Sequence, residues 1–266
     1  LVEPGEPVVT SAGAYPTFNF HVTGFGGRLH TVPYVDDHEH PDSLIAKATK
    51  VSAKIIYFAN PDNPMGSWHS ADVVNGLINN LPKSTLLVLD EAYVDLAPAG
   101  TAPALLPETP NVIRMRTFSK AYGMAGARVG YAIGPKKLIA AFDKVRNHFG
   151  MSHISQVGAL AALSDQNYFE RVLKNVQKSR QQITDVARAN GLKALPSATN
   201  FVAIDCGRDG DFARALLQRL LADQIFVRMP NISPLDRCIR VSCGDARAME
   251  AFAHALPNAL KAVQAT

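Results

Sequence analysis

The chain has 266 residues, 47% of them apolar and 19% charged, with a net charge of +4. That is enough for one large or two ordinary globular domains whose core needs no disulfides. No apolar run is long enough to span a bilayer and no basic run tracks nucleic acid, so membrane and nucleic-acid partners are not expected. Cys206, Cys238 and Cys243 have neither metal-like spacing nor a disulfide framework, which points to a reducing, cytoplasmic setting. The opening "LVEPGEPVVTS" lacks a charged region followed by an apolar one, so it does not read as a signal peptide. It begins at Leu1 and runs from a turn straight into a strand, so we expect an N-terminal portion to be missing.

The first half alternates. Short β-rich runs at 7–11, 28–34, 54–60, 85–93, 111–118 and 129–134 are interleaved with helical patterns at 42–51 and 70–80. "LLVL" at 86–89 is continuously apolar, as in a strand covered on both faces. The alternation predicts an α/β fold with a mostly parallel central sheet between helical layers. From Pro135 the pattern turns helical: first 135–149, with proline leading, then a long stretch from about 155 to 190 stopped by Gly191. "ATNFVAIDCG", a helix over 211–223, "IFVRM", "CIRVSCG" and a last helix from Asp245 make a smaller α+β unit. The expected division is 1–160 as a large domain, 161–190 as a connecting helix and 191–266 as a small C-terminal domain.

Three predicted strand ends carry polar groups. "NPDNPMG" (60–66) follows "IIYFA", Asp90 closes "LLVLD", and Ser119 and Lys120 follow "VIRMRTF". Ligands of α/β sheets sit at the carboxyl ends of the strands. Taken singly, each has an ordinary reading: a proline-rich turn, a helix N-cap at Asp90, a solvated Lys120. Their joint occurrence at successive strand ends is the signal. "DDHEH" (36–40) is dense enough in Asp and His for a metal, but nothing else converges on it, so no metal site is expected.

The motifs "NPDNPMG", "DEAY", "SKAYGMAGARVGY" and "IRVSCG" resemble those of fold-type I, pyridoxal-phosphate-dependent aminotransferases of class I/II, and most of all the histidinol-phosphate branch. The resemblance runs over essentially the whole chain from Val2, and implies the three-layer transferase fold and a homodimer. It makes Lys120 the lysine that carries pyridoxal 5'-phosphate covalently and shuttles the substrate proton. Asp90 would face the ring nitrogen and keep it protonated. Tyr93 and Asn63 match the donors to the ring's 3-oxygen. Arg128, eight residues after Lys120, with Thr117 and Ser119, would hold the phosphate, and Gly123 and Gly126 would let the backbone turn there. Phe18 in "YPTF" matches an aromatic that stacks on the ring. Arg240 matches the arginine that grips the substrate carboxylate in a bidentate fork. Asn200 falls near the substrate pocket, and Arg228 is a candidate second anion contact. Met65 replaces the usual Thr of N-P-T-G.

The resemblance implies amino transfer between an amino acid or amino-alcohol phosphate, such as histidinol phosphate, and a 2-oxo acid such as 2-oxoglutarate. Two other readings stay open. A decarboxylase or lyase of the same fold would share every cofactor residue. A truncated chain could keep the fold without activity, because the missing N-terminal segment carries part of the family's phosphate cup and dimer contact.

Overall fold

The structure, a computed structural model, describes residues 1–265. Six strands form the main sheet: β1 (Pro7–Ser11), β2 (Arg28–Val32), β3 (Ile55–Ala59), β4 (Leu86–Asp90), β5 (Val112–Thr117) and β6 (Gly130–Ile133), in the order β2-β1-β3-β4-β5-β6. The first five are parallel and β6 runs antiparallel to β5. Alternate residues feed opposite faces. On one face Ile56, Phe58, Leu87 and Leu89 pack against Leu44 and Ala48 of α2 (Pro41–Val51) and Val74 and Leu77 of α3 (Ala71–Asn79). On the other, Val8, Ile55 and Leu86 meet Val22 of α1 (Pro16–Gly24). Coverage on both sides is why β3 is buried along its whole length.

Helix α1 was not legible in the sequence. "PTFNFHVTG" has no apolar stripe of helical period and buries only Val22; proline in the first turn starts it. The helix expected over 135–149 is realised only as α4 (Lys136–Ile139) and one 3₁₀ turn at Phe142–Lys144. The long helix expected from 155 to 190 is two: α5 (His153–Ser164) and α6 (Gln166–Ala189). Asp165 separates them, and its side chain accepts the Tyr168 N–H to cap α6.

Beyond Gly191 (φ +72°) a second sheet forms from β7 (Lys193–Ala194), β8 (Phe201–Asp205) and β9 (Cys238–Ser242), all antiparallel. Ile183 and Ala187 of α6 share its core with Leu216 and Leu220 of α7 (Gly210–Ala222) and Phe252 and Leu256 of α8 (Ala246–Gln264). "IFVRM" is not a strand of this sheet; it contributes one bridge, Arg228 to Arg240. The two sheets meet at the loop after β3. Met65, fully buried, packs with Leu195, Ala203, Leu235 and Cys238. Arg237 adds ion pairs to Asp37 (2.8 Å) and Asp205 (2.9 Å).

Candidate active site

Parallel pairing places Ala59 beside Asp90 and Asp90 beside Met115, so the chain leaves β3, β4 and β5 at one edge. The segments that follow line a cavity of about 290 Å³. Asn63, Asp90, Tyr93, Thr117, Ser119, Lys120 and Arg128 all face it, together with Tyr15 and Tyr57. An adjoining cavity of about 310 Å³ shares Tyr15 and Asn63 and is lined further by Asn19, Arg228 and Arg240.

Asp90 is held from two sides. Its Oδ2 accepts the Tyr57 hydroxyl at 2.6 Å and its Oδ1 accepts the Ala92 N–H at 2.9 Å. Burial raises its pKa above the usual carboxylate range; the Tyr57 and Ala92 hydrogen bonds and the Lys120 charge work against that rise. Lys120 projects its Nζ over the ring of Tyr93, 5.0 Å from the centroid. Tyr93 is itself buried and packs edge-on to Phe201 at 5.6 Å.

The phosphate-type donors come from the turn after β5. Thr117 Oγ1 donates to Ser119 Oγ at 2.9 Å, and the Ser119 N–H donates back to Thr117 Oγ1 at 3.0 Å. Gly123, at φ +69°, makes the reversal that a side chain would resist. Gly126 has neither a positive φ nor a close neighbour, so the structure gives it no such role. Arg128 itself adopts the left-handed region (φ 56°) where the chain enters β6, and donates to the Ala125 carbonyl at 2.8 Å.

Arg240, on β9, stacks its guanidinium on Phe201 at 4.5 Å and donates to Asn63 Oδ1. Desolvation pulls its pKa below the usual arginine value. Arg228 lies beside it through two backbone hydrogen bonds. Asn200 precedes β8, gives its carbonyl to the Cys243 N–H, and lines neither cavity. Phe18 also lies behind the cavity wall: it stacks on Tyr57 (4.4 Å, 19°). The ring that faces the cavity from that turn is Tyr15.

Sequence reasoning missed Tyr15 and Tyr57. Tyr57 sits two residues before Ala59, hence on the same face of β3, and a phenol inside an otherwise apolar run was the available signal. "DDHEH" is spent on structure. Glu39 accepts from Ser11 Oγ (2.7 Å) and the Ala59 N–H (2.9 Å), Asp37 holds Arg237, and His40 caps α2 through the Ser43 N–H. Among the described residues no group of His, Cys, Asp and Glu is arranged to hold a metal ion.

Residues 1–256 match the family described as aminotransferase class I and II. The chain belongs to that family. A histidinol-phosphate aminotransferase of Bacillus velezensis is 35% identical over 239 residues, covering 89% of this chain and 66% of that protein. The crystal structure of histidinol-phosphate aminotransferase from Sinorhizobium meliloti, in complex with pyridoxal-5'-phosphate, superposes with a TM-score of 0.97 at 53% identity. It covers 99% of this chain, which spans 72% of that one. An L-threonine-O-3-phosphate decarboxylase from Porphyromonas gingivalis shares the fold at 20% identity and a TM-score of 0.78. This aminotransferase chain therefore has the α/β fold of its family: a mostly parallel sheet between helices, followed by a smaller sheet.

The family's cofactor is pyridoxal 5'-phosphate, and the residues present fit it. A partly buried carboxylate, a lysine amine, two hydroxyls and an arginine converge on one cavity. These are the groups needed for a cationic ring nitrogen, a carbonyl to be captured, and a phosphate dianion.

Proposed function

We propose that this chain carries out pyridoxal-phosphate-dependent amino transfer from an amino acid or amino-alcohol phosphate of the histidinol-phosphate type to a 2-oxo acid such as 2-oxoglutarate. The observation that carries the reading is Asp90 and Lys120 facing one cavity from adjacent strand ends, with Arg240 in the adjoining cavity. When bound there, the cofactor supplies an electron sink for the bond broken at the substrate's α-carbon. The chain's own residues supply the rest. Asp90 holds positive charge at the ring nitrogen, since a buried carboxylate favours a protonated partner. Lys120 anchors the cofactor and, once released, carries the proton on and off the α-carbon. Tyr93 and Asn63 hold the ring's oxygen, and Thr117, Ser119 and Arg128 hold the phosphate. Arg240 orients the substrate carboxylate, with Arg228 beside it for a second anionic group. Phe18 backs the arrangement through its stack on Tyr57.

The proposed assembly is a homodimer in the cytoplasm, working on small molecules. Its support is the apolar face of α5, where Ile154, Val157, Leu160 and Leu163 are all exposed. Among the described residues no helix is long and apolar enough to cross a membrane.

The test is a visible absorption spectrum of the purified chain with pyridoxal phosphate, then with glutamate or histidinol phosphate. A band that forms and then bleaches with an amino donor, with a new amino acid made from the added 2-oxo acid, is the expected result. Lys120→Ala should form no such band and show no transfer. Turnover at the parent's rate in that variant would overturn the assignment, and release of CO₂ without a new amino acid would replace transfer by decarboxylation.

A further inference from the structure

We propose that Tyr57 is a positioning residue for Asp90, its hydroxyl locking one carboxylate oxygen so that the charge is aimed into the cavity. The inference rests on the cofactor reading above and names a residue that reading does not use.

Three observations carry it. The first is geometric. Two donors from different elements, the Tyr57 hydroxyl on β3 at 2.6 Å and the Ala92 N–H after β4 at 2.9 Å, each take one oxygen of Asp90 and fix the carboxylate plane. Among the described residues no other side chain donates a hydrogen bond to Asp90. The second is rigidity. Tyr57 is 4% exposed and its ring is stacked on Phe18 at 4.4 Å, so the hydroxyl cannot swing away. The third is electrostatic. Tyr57 is faced by Asp90 from β4, by Glu39 from the connection before α2 and by Asp62 from the loop after β3. Burial and these carboxylates hold its pKa well above the usual phenol value, so it stays a donor through the neutral range. Asp90 in turn is faced by Tyr57 and by Lys120 from the turn after β5, and it feels the charges of its neighbour Glu91, which points away, and of Glu39. Burial raises the Asp90 pKa and the phenol hydrogen bond lowers it, which favours the ionised form that a protonated ring nitrogen needs.

Tyr57→Phe removes the hydroxyl and keeps the stack on Phe18. With a hydrogen bond to a charged group lost, affinity for pyridoxal phosphate should fall on the order of tenfold. The rate kcat should fall while the amino donor's KM stays put. In an Asp90→Asn background the same change should cost much less, because a neutral acceptor loses less. A readout without cofactor separates aiming from packing. Removing the hydroxyl raises the Asp90 pKa further, so the variant loses stability relative to the parent as pH rises through the Asp90 range. Below that range both are protonated and differ little. Urea unfolding at acid and neutral pH should therefore show a gap that widens with pH. Equal cofactor affinity together with a pH-independent gap would overturn the role of Tyr57 and leave the cofactor reading standing. A parent chain that binds no pyridoxal phosphate would overturn the cofactor reading, and the pH-dependent gap would still decide whether Tyr57 governs Asp90.

Discussion

Glu91 stands beside Asp90 in the sequence but points the other way, and removing its charge should cost more than any surface change. Its side chain is 1% exposed. Both oxygens bind Arg114, which is 5% exposed, and Oε2 also accepts from Arg116 Nε at 2.9 Å. Arg114 further donates to the carbonyls of Ala104 and Pro103, so it cannot retreat to solvent without breaking them. Glu91→Gln keeps the shape and leaves two guanidiniums around a neutral group. Breaking a buried pair by removing one partner costs about 3–5 kcal/mol. At ~2–4 °C per kcal/mol for a chain near this size, Tm should drop by roughly 6–20 °C. The assay is urea unfolding followed by circular dichroism, with the m-value checked for change. High salt should not rescue the variant, because a pair away from water is poorly screened. A loss below about 1 kcal/mol, the range of an exposed pair, would refute the reasoning.

Gly66 combines φ +80° with an approach in which an added Cβ would lie 2.7 Å from Ser197 Oγ. That hydroxyl is tied to the Phe201 carbonyl, so Gly66→Ala should destabilise by about 1–3 kcal/mol, and an unchanged melting curve would contradict it. Glu39 has its pKa held well above the carboxylate range by burial, with Asp62 adding to the rise. The folded state disfavours its charge, so the parent loses stability as pH climbs through that raised value, and Glu39→Gln does not. The stability difference should move in the variant's favour as pH rises above the ordinary carboxylate range; a flat difference would sink the account.

The sheet and the site were legible for the same reason: β3 and β4 are short apolar runs that end at polar residues, and β5, although it carries Arg114 and Arg116, runs out at Thr117 just before Ser119 and Lys120. Asp90 and Lys120 were marked by their position at those ends, and Asn63 by the resemblance that the motif "NPDNPMG" carries. What escaped was whatever carries no period. Helix α1 buries only Val22, and the pair Phe18 and Val22 is too short a repeat to mark a helix. The break at Asp165 is a capping event, invisible to an apolar count although Ser164, Asp165 and Asn167 are residues that favour a helix N-cap over a helix interior. Phe18 matched a motif, yet the turn before α1 presents Tyr15 to the cavity and folds Phe18 onto Tyr57, a choice set by packing three residues away. For "DDHEH" the sequence pointed away from a metal site, but it did not show what those side chains do instead. Their partners Ser11, Ala59 and Arg237 lie far along the chain.

Asn63 is bonded through its side-chain oxygen to Arg240, across 177 positions of sequence. Under the proposed reading one amide therefore touches the pocket for the ring and the grip for the carboxylate. A ligand that draws Arg240 toward itself must loosen or reorient that amide, and a ring seated beneath the amide must change what Arg240 can offer. Whatever the first occupant contributes to the affinity of the second, the second returns to the first in equal measure. The two cavities are in this sense one thermodynamic object, with a single hydrogen bond as the shortest wire between them.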